Sequence, residues 1–368
     1  MKSADVVIVG GGVIGAACAR AAALRGLEVA VFEPGPDPAA ASLASAGMLA
    51  AQIEPIDEKM LGLAVRARDL YEHLAYTLDD STGIDIGFWR AGIAAIAFDP
   101  ADAEALKHAV ARQRQAGLRC DWLDATEVEE RWPGAAPGCQ GALLAPEDGA
   151  VDPQALQRAL LADARRLGAA LIPEKVERVS AEGGRATGVA TAHDSASAGH
   201  VVIAAGAWSP LLAGLPDPLP VEPVRGQMAA TPWPPNTPAA ILYAQHCYVL
   251  ARGGKAMLGS TMEHAGFECR VTTEGLAQIF RGAVRLFPAL ADAPVERMWA
   301  GLRPVTPDGN PIIGPDPNVA GLWYATGHGR NGILLAALTG EIIGDLLATG
   351  QTGVDIAPLG RNRLMANG

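Results

Sequence analysis

The chain has 368 residues, 40 acidic and 29 basic side chains, a net charge of −11, and an apolar-rich composition (49%) with few charged residues (19%). That length suggests two domains at roughly 150 residues each. The composition excludes a disordered chain, and the acidic balance without a basic stripe argues against nucleic acid as a partner. The five cysteines, at 18, 120, 139, 247 and 269, form no C-x-x-C pair. Neither a disulfide framework nor a zinc site is suggested, and a reducing, cytoplasmic compartment is expected.

Val6–Val9 is a β-branched run suited to a strand buried on both faces. Gly10-Gly11-Gly12-Val13-Ile14-Gly15 follows, then an alanine-rich, helix-favouring stretch to Arg25 that Gly26 stops. Glu28–Phe32 is a second strand, closed by Glu33-Pro34-Gly35, which completes a βαβ unit. The apolar stretch from Val6 to Leu24 is broken by four glycines, so it is read neither as a signal peptide nor as a membrane span.

Residues 36–56, rich in Ala, Ser and Pro, read as a loop, 57–80 as a helix and 84–98 as strands. Asp99-Pro100 opens a helix over Ala101–Ala116, and Asp152-Pro153 opens another that ends near Gly168. Strands are expected at Ala170–Ile172, Val176–Val179, Val201–Gly206 and Val221–Ala230, with strand-like segments continuing to Gly259. Helices are expected at Thr273–Phe287 and from Asn331 to Leu347. The apolar run Gly332–Leu347 is too short to span a membrane and carries Glu341 and Asp345.

Gly10, Gly12 and Gly15 form G-x-G-x-x-G between strand and helix. The first makes the tight turn, the second admits a pyrophosphate and the third lets helix pack on strand. The phosphates would sit at the helix N-terminus. Glu33 lies where an acid accepts from a ribose hydroxyl. The fingerprint alone does not choose between NAD and FAD. Its place at the start of the chain, and a second strand-plus-Gly segment, VVIAAGAW (Val201–Trp208), lean towards FAD.

The segments DVVIVGGGVIGAACARAAALRGLEVAVFEPG, ASLASAGMLAAQIEP, VRGQM, HCYVL, GSTM, WAGLRPVTPDGNPIIG and ATGHGRNGILLAALTGEIIGDLL, in this order, resemble the D-amino acid oxidase superfamily of FAD-dependent amine oxidoreductases, and within it the bacterial glycine oxidases. The resemblance implies an α/β fold. A discontinuous Rossmann-like FAD-binding domain (1–83, 145–217 and 300–368) would carry an α+β substrate domain with an antiparallel sheet (84–144 and 218–299). It also implies a homo-oligomer. The cofactor set it implies is Gly10, Gly12, Val13, Ile14, Gly15, Glu33, Pro34, Ser42, Ala46, Gly47, Met48, Val176, Ala205, Gly206, His328, Gly329, Arg330, Asn331, Gly332 and Ile333.

By the same resemblance, Arg303 in GLRP binds the substrate carboxylate, which suits its planar, permanently charged fork. The Tyr248 hydroxyl helps to hold that carboxylate, and Arg330 stands at the site. His246, two residues from Tyr248 on one strand face, lines the pocket or is an ordinary strand histidine. Met262 forms a pocket wall or is a core methionine. Gly301 stands where relatives with covalent flavin carry a cysteine, so FAD is expected to be noncovalent. Gly329 replaces an aromatic. Either it opens the pocket to substrates larger than glycine, or it is there for a positive φ.

The implied reaction is oxidation of glycine or a small D- or N-alkyl amino acid to an imine, which hydrolyses to a 2-oxo acid and ammonia. Oxygen is the expected acceptor, and the imine could feed thiazole formation in thiamine biosynthesis. A dehydrogenase passing electrons to a quinone or partner protein is the alternative. A non-catalytic flavin-binding subunit is disfavoured by the intact set of Arg303, Tyr248 and Arg330. No general base and no serine or cysteine nucleophile is indicated, and no metal or membrane partner.

Overall fold

The structure is a computed structural model that describes residues 3–54, 58–245 and 247–364. The strand Ser3–Val9, its helix Val13–Leu24 and the strand Val29–Phe32 form the expected βαβ unit. They nucleate a sheet ordered Ile312–Pro315, Leu322–Thr326, Ser195–Ile203, Ser3–Val9, Val29–Phe32, Ala170–Ile172. All neighbours in it are parallel except the first pair. An antiparallel extension, Val176–Glu182 and Arg185–Thr191, hangs from the Ser195–Ile203 strand. Val6, Val7 and Ile8 are fully buried, as a strand covered on both faces requires.

The second sheet is antiparallel but for one pair. Its order is Arg297–Val305, Glu222–Pro232, Lys255–Gly259, Cys247–Arg252, Ile241–Ala244, Ile93–Ala97, Gly141–Ala145, Asp121–Leu123, with only Ile241–Ala244 and Ile93–Ala97 parallel. The domain boundary expected at 299/300 falls inside Arg297–Val305. All nine residues of that strand pair with Glu222–Ala230, so it belongs to the second sheet while delivering Arg303 to the space between the sheets.

The helices open on the caps that the sequence supplies. Asp99 accepts from the Asp102 N–H ahead of Pro100–Gln115, and Asp152 from Gln154 and Ala155 ahead of Pro153–Arg166. Ala125–Arg131 is a helix the sequence reading does not contain. Asp124 and Glu127 form a reciprocal capping box at its start. Of the strand character expected over 84–98, only Ile93–Ala97 forms a strand, with an isolated bridge from Trp89 to Ala150. The stretch 36–56 contains a short helix, Ala41–Ala44, and a two-residue strand, Met48–Leu49, paired with Gly149–Ala150.

The last helix, Gly332–Thr349, is 18 residues long, two more than the expected apolar run. By length and composition it could cross a membrane, but 67% of it is buried inside the fold. It is largely apolar because it packs in the core, with Glu341 and Asp345 on its partly exposed side. A Cβ at Gly340 would lie 2.7 Å from the Ala17 carbonyl, so glycine there sets its close approach to Val13–Leu24.

Candidate active site

A cleft of about 640 Å³ runs from the ends of the parallel strands to the second sheet. Four parallel strands end on it, through Val9, Phe32, Ala204 and Thr326. This is the crevice beyond the carboxyl ends of a parallel sheet where such folds bind ligands.

The glycine fingerprint folds as its spacing predicts. Gly10 adopts φ +104, and a Cβ there would sit 2.6 Å from the Ala204 carbonyl oxygen. A Cβ at Gly15 would overlap the Gly10 carbonyl, so this glycine serves helix–strand packing and does not line the cleft. Gly12, the N-cap of Val13–Leu24, has no side-chain cap, and no acid stands in the first turn. Ser42 Oγ accepts from the Val13 N–H at 3.0 Å. Glu33 Oε2 accepts from the Gly11 N–H at 2.6 Å and Oε1 from the Gly35 N–H at 3.3 Å. Each carboxylate oxygen keeps further acceptor capacity.

The rest of the expected cofactor set lies on the same cleft: Gly10, Gly12, Val13 and Ile14; Glu33 and Pro34; Ser42, Ala46, Gly47 and Met48; Val176; Ala205 and Gly206; and the run His328–Ile333. The second sheet fixes the segment around Ala46, because Arg252 Nη1 donates to the Ala46 carbonyl at 2.6 Å and Trp299 Nε1 to that of Ala44 at 2.9 Å. Gly47 takes φ +90, and a side chain there would strike the Val151 carbonyl.

The helix Gly332–Thr349 begins at the cleft, again with no side-chain cap and no acid in its first turn. Two helix N-termini whose N-cap residues supply no side-chain cap therefore face one cavity, an arrangement that favours negative charge at two places along it. An elongated dinucleotide with a pyrophosphate and a second electron-accepting end fits these residues. A Cβ at Gly301 would overlap Ala44, and among the described residues no cysteine lines the cleft.

At the far end stand Arg303, Tyr248, Arg330, Ser260 and Glu54. Arg303 Nη2 donates to Ser260 Oγ at 2.7 Å and Nη1 to the Thr261 carbonyl at 3.0 Å. Among the described residues no carboxylate lies within ion-pairing distance of it. Burial, with Arg330 nearby, pulls the Arg303 guanidinium below its ordinary value, although Tyr248 and Glu54 oppose the shift. Tyr248 is buried, its phenol pushed up to about 12 by burial with Arg303 partly opposing, so its hydroxyl stays a donor at neutral pH. Two glycines make room for this pair. A Cβ at Gly226 would overlap the Arg303 guanidinium, and one at Gly259 would lie 2.5 Å from Tyr248 Oη.

Arg330 precedes the N-cap Asn331, where the helix dipole disfavours a cation. Its Nη2 donates to Glu54 Oε1 at 2.9 Å and to Tyr243 Oη at 3.2 Å. Burial works against its charge, but Glu54 and Tyr243 prevail and hold it above its ordinary value. His328 is 2% exposed, and burial pulls its pKa down to about 3, so the ring is neutral. Its Nε2 lies 3.0 Å from Thr339 Oγ1, while Nδ1 has no partner among the described residues.

Met262 is not brought to the cleft. Thr261 turns inward, its Oγ1 accepting from the Gln227 N–H at 2.9 Å, and Met262 is left 50% exposed. Ser260, not singled out in the sequence, holds the cleft position of the GSTM segment. His246 lies outside the described residues. Gly329 has φ +54, and a Cβ there would meet only Val305 Cγ2, at 4.0 Å. The backbone therefore favours glycine at this position, and the space beside it is open as well.

Residues 5–346 match the family model described as FAD dependent oxidoreductase (DAO), and the chain belongs to that family of flavin enzymes. Within the family it is 37% identical to the glycine oxidase of Geobacillus kaustophilus over 98% of this chain and 97% of the relative. The crystal structure of glycine oxidase from Geobacillus kaustophilus superposes with a TM-score of 0.94 at 35% identity, over 99% of both chains. The chain is also 38% identical to the bifunctional protein ThiO/ThiG of Trichormus variabilis over 93% of its own length, and spans about half (52%) of that longer relative.

Proposed function

We propose that this protein oxidises glycine or a small D- or N-alkyl amino acid to the imine, which hydrolyses to a 2-oxo acid and ammonia, or the alkylamine from an N-alkyl substrate, with oxygen as acceptor. Noncovalent FAD, when bound, supplies a two-electron acceptor for hydride from the substrate α-carbon. The residues Gly10–Ile14, Glu33, Ala46–Met48 and His328–Ile333 would hold it. The observation that carries the reading is Arg303, a cation without a carboxylate partner among the described residues, facing the cavity onto which the N-termini of Val13–Leu24 and Gly332–Thr349 open.

Each side chain then has a task. Arg303 receives the carboxylate through the donors that Ser260 and Thr261 leave free, and a charge-assisted, two-point contact fixes substrate orientation. Tyr248 donates its hydroxyl to the same carboxylate. With that end fixed, the α-carbon is held in a near-attack position. The N-terminus of Gly332–Thr349 stabilises negative charge that develops nearby. A substrate amine that is neutral when it reacts needs no general base. Gly329 keeps the backbone close without filling the open space beside it.

Oxygen uptake by the FAD-loaded protein with glycine, D-alanine and sarcosine, with a dye acceptor in parallel, tests this reading. Uptake that depends on substrate supports it. Turnover with the dye alone would assign the protein to the dehydrogenases.

A further inference from the structure

The Glu54 side chain is only 7% exposed and lies in the cleft wall, where it pairs with Arg330. Its segment is anchored from behind. The Gln52 N–H donates to Asp148 Oδ2 at 2.9 Å, and Arg68, itself 1% exposed, donates to Asp148 Oδ1 at 3.1 Å and to Gln52 Oε1 at 2.6 Å. The Glu54 N–H in turn donates to the Ala50 carbonyl at 3.4 Å. The Glu54 side chain is thus held in place beside Arg330.

Three charged groups meet at this end of the cavity: Arg303 and Arg330 positive, Glu54 negative. Glu54 and Tyr243 both accept from Arg330 Nη2, and Glu54 gives Arg330 a carboxylate partner, which leaves Arg303 as the cation with no carboxylate paired to it among the described residues. We propose that Glu54 selects the substrate by charge. It keeps Arg330 paired and repels a second carboxylate, so the site takes amines bearing one carboxylate and rejects dicarboxylates. A second carboxylate drawn to Arg330 would come up against the Glu54 carboxylate already paired there, and one that displaced Glu54 would leave a buried, unpaired anion. The inference rests on Arg303 being the carboxylate clamp.

The test compares wild type with Glu54→Gln, both loaded with FAD. Glycolate and malonate are titrated by calorimetry and by the change in flavin absorbance, and sarcosine and iminodiacetate are tested as substrates. Like charges brought together in a desolvated site cost several-fold to many-fold in affinity. Wild type should bind glycolate better than malonate. Glu54→Gln should lower the malonate-to-glycolate Kd ratio about tenfold or more, and the corresponding KM ratio for iminodiacetate and sarcosine should move the same way. Glu54→Asp, which keeps the charge, should keep the wild-type ratio. An unmoved ratio in Glu54→Gln, or an equal change in Glu54→Asp, overturns the proposal. Glu54→Ala provides the same reading should the amide variant not hold FAD. The binding ratio needs no turnover. A shifted ratio with no oxidation of any amine therefore counts against the oxidase reading alone, and normal oxidation with an unmoved ratio counts against this proposal alone.

Discussion

Substituting Gly226 by alanine tests the placement of Arg303 without removing it. The added Cβ would lie 2.5 Å from Arg303 Cζ and overlap the guanidinium. Ordinary carbon contacts are about 3.5–4.0 Å, so the guanidinium must retreat by about 1 Å or more. It sits at the end of a flexible side chain, so the fold can absorb the shift. A misplacement of about 1 Å in a substrate-orienting group can cost about 100-fold in rate, or about 2.7 kcal/mol of transition-state stabilisation. Gly226→Ala should therefore keep its FAD and lose about 100-fold in kcat/KM for glycine or D-alanine, measured by oxygen uptake alongside flavin content and thermal unfolding. Arg303→Ala should lose roughly 30-fold or more, the scale of about 2–5 kcal/mol for truncating a buried charge pair. Near-normal kinetics in Gly226→Ala at full flavin content would mean that the carboxylate is bound elsewhere.

Acid precipitation should leave a colourless pellet and a yellow supernatant, because the position expected to carry a covalent attachment is Gly301, packed on Ala44; a yellow pellet would refute noncovalent binding. Wild type should turn over D-alanine, D-proline or an N-alkylglycine at least comparably to glycine, since the space beside Gly329 is open. A substrate panel showing strict glycine preference would refute that. Gly329→Tyr should narrow the range towards glycine but lose about 1–2 kcal/mol of stability at φ +54, which Gly329→Asn should largely spare. His328, held neutral with its pKa down at about 3, binds a proton in the unfolded but not the folded chain between that value and the ordinary one near 6.5. Its contribution to stability is therefore present above about 6.5 and lost as pH falls towards 3. Denaturant melts across this range should show a slope that His328→Gln flattens, and an unchanged slope would contradict the assignment.

The βαβ unit was legible because its signals are local. Glycine spacing, a β-branched run and a helix-forming stretch all lie within about 30 residues. The roles of Gly10 and Gly15 read from that spacing agree with the atoms a Cβ would meet at each. The helix Ala125–Arg131 also has a local signal, the Asp124/Glu127 box, but little apolar periodicity to announce it. The cleft was less legible. Glu54 lies near the end of the segment ASLASAGMLAAQIEP without being singled out there, and its meaning comes from Arg330, 276 residues away. Ser260 and Met262 differ in a way that only the turn after Lys255–Gly259 decides. Thr261 must satisfy the Gln227 N–H, and that turns Met262 to solvent. The cation at Arg330 next to a helix start is likewise explained only by Glu54, which the sequence does not place beside it.

The most direct test of the account is to mix the FAD-loaded protein with glycine or D-alanine in the absence of oxygen and follow the visible absorbance of the flavin. Bleaching by the amino acid, restored on admitting air and slowed in Arg303→Ala, is the result the account predicts. Full flavin loading with no bleaching by any small amino acid, or bleaching as fast in Arg303→Ala as in wild type, would contradict it.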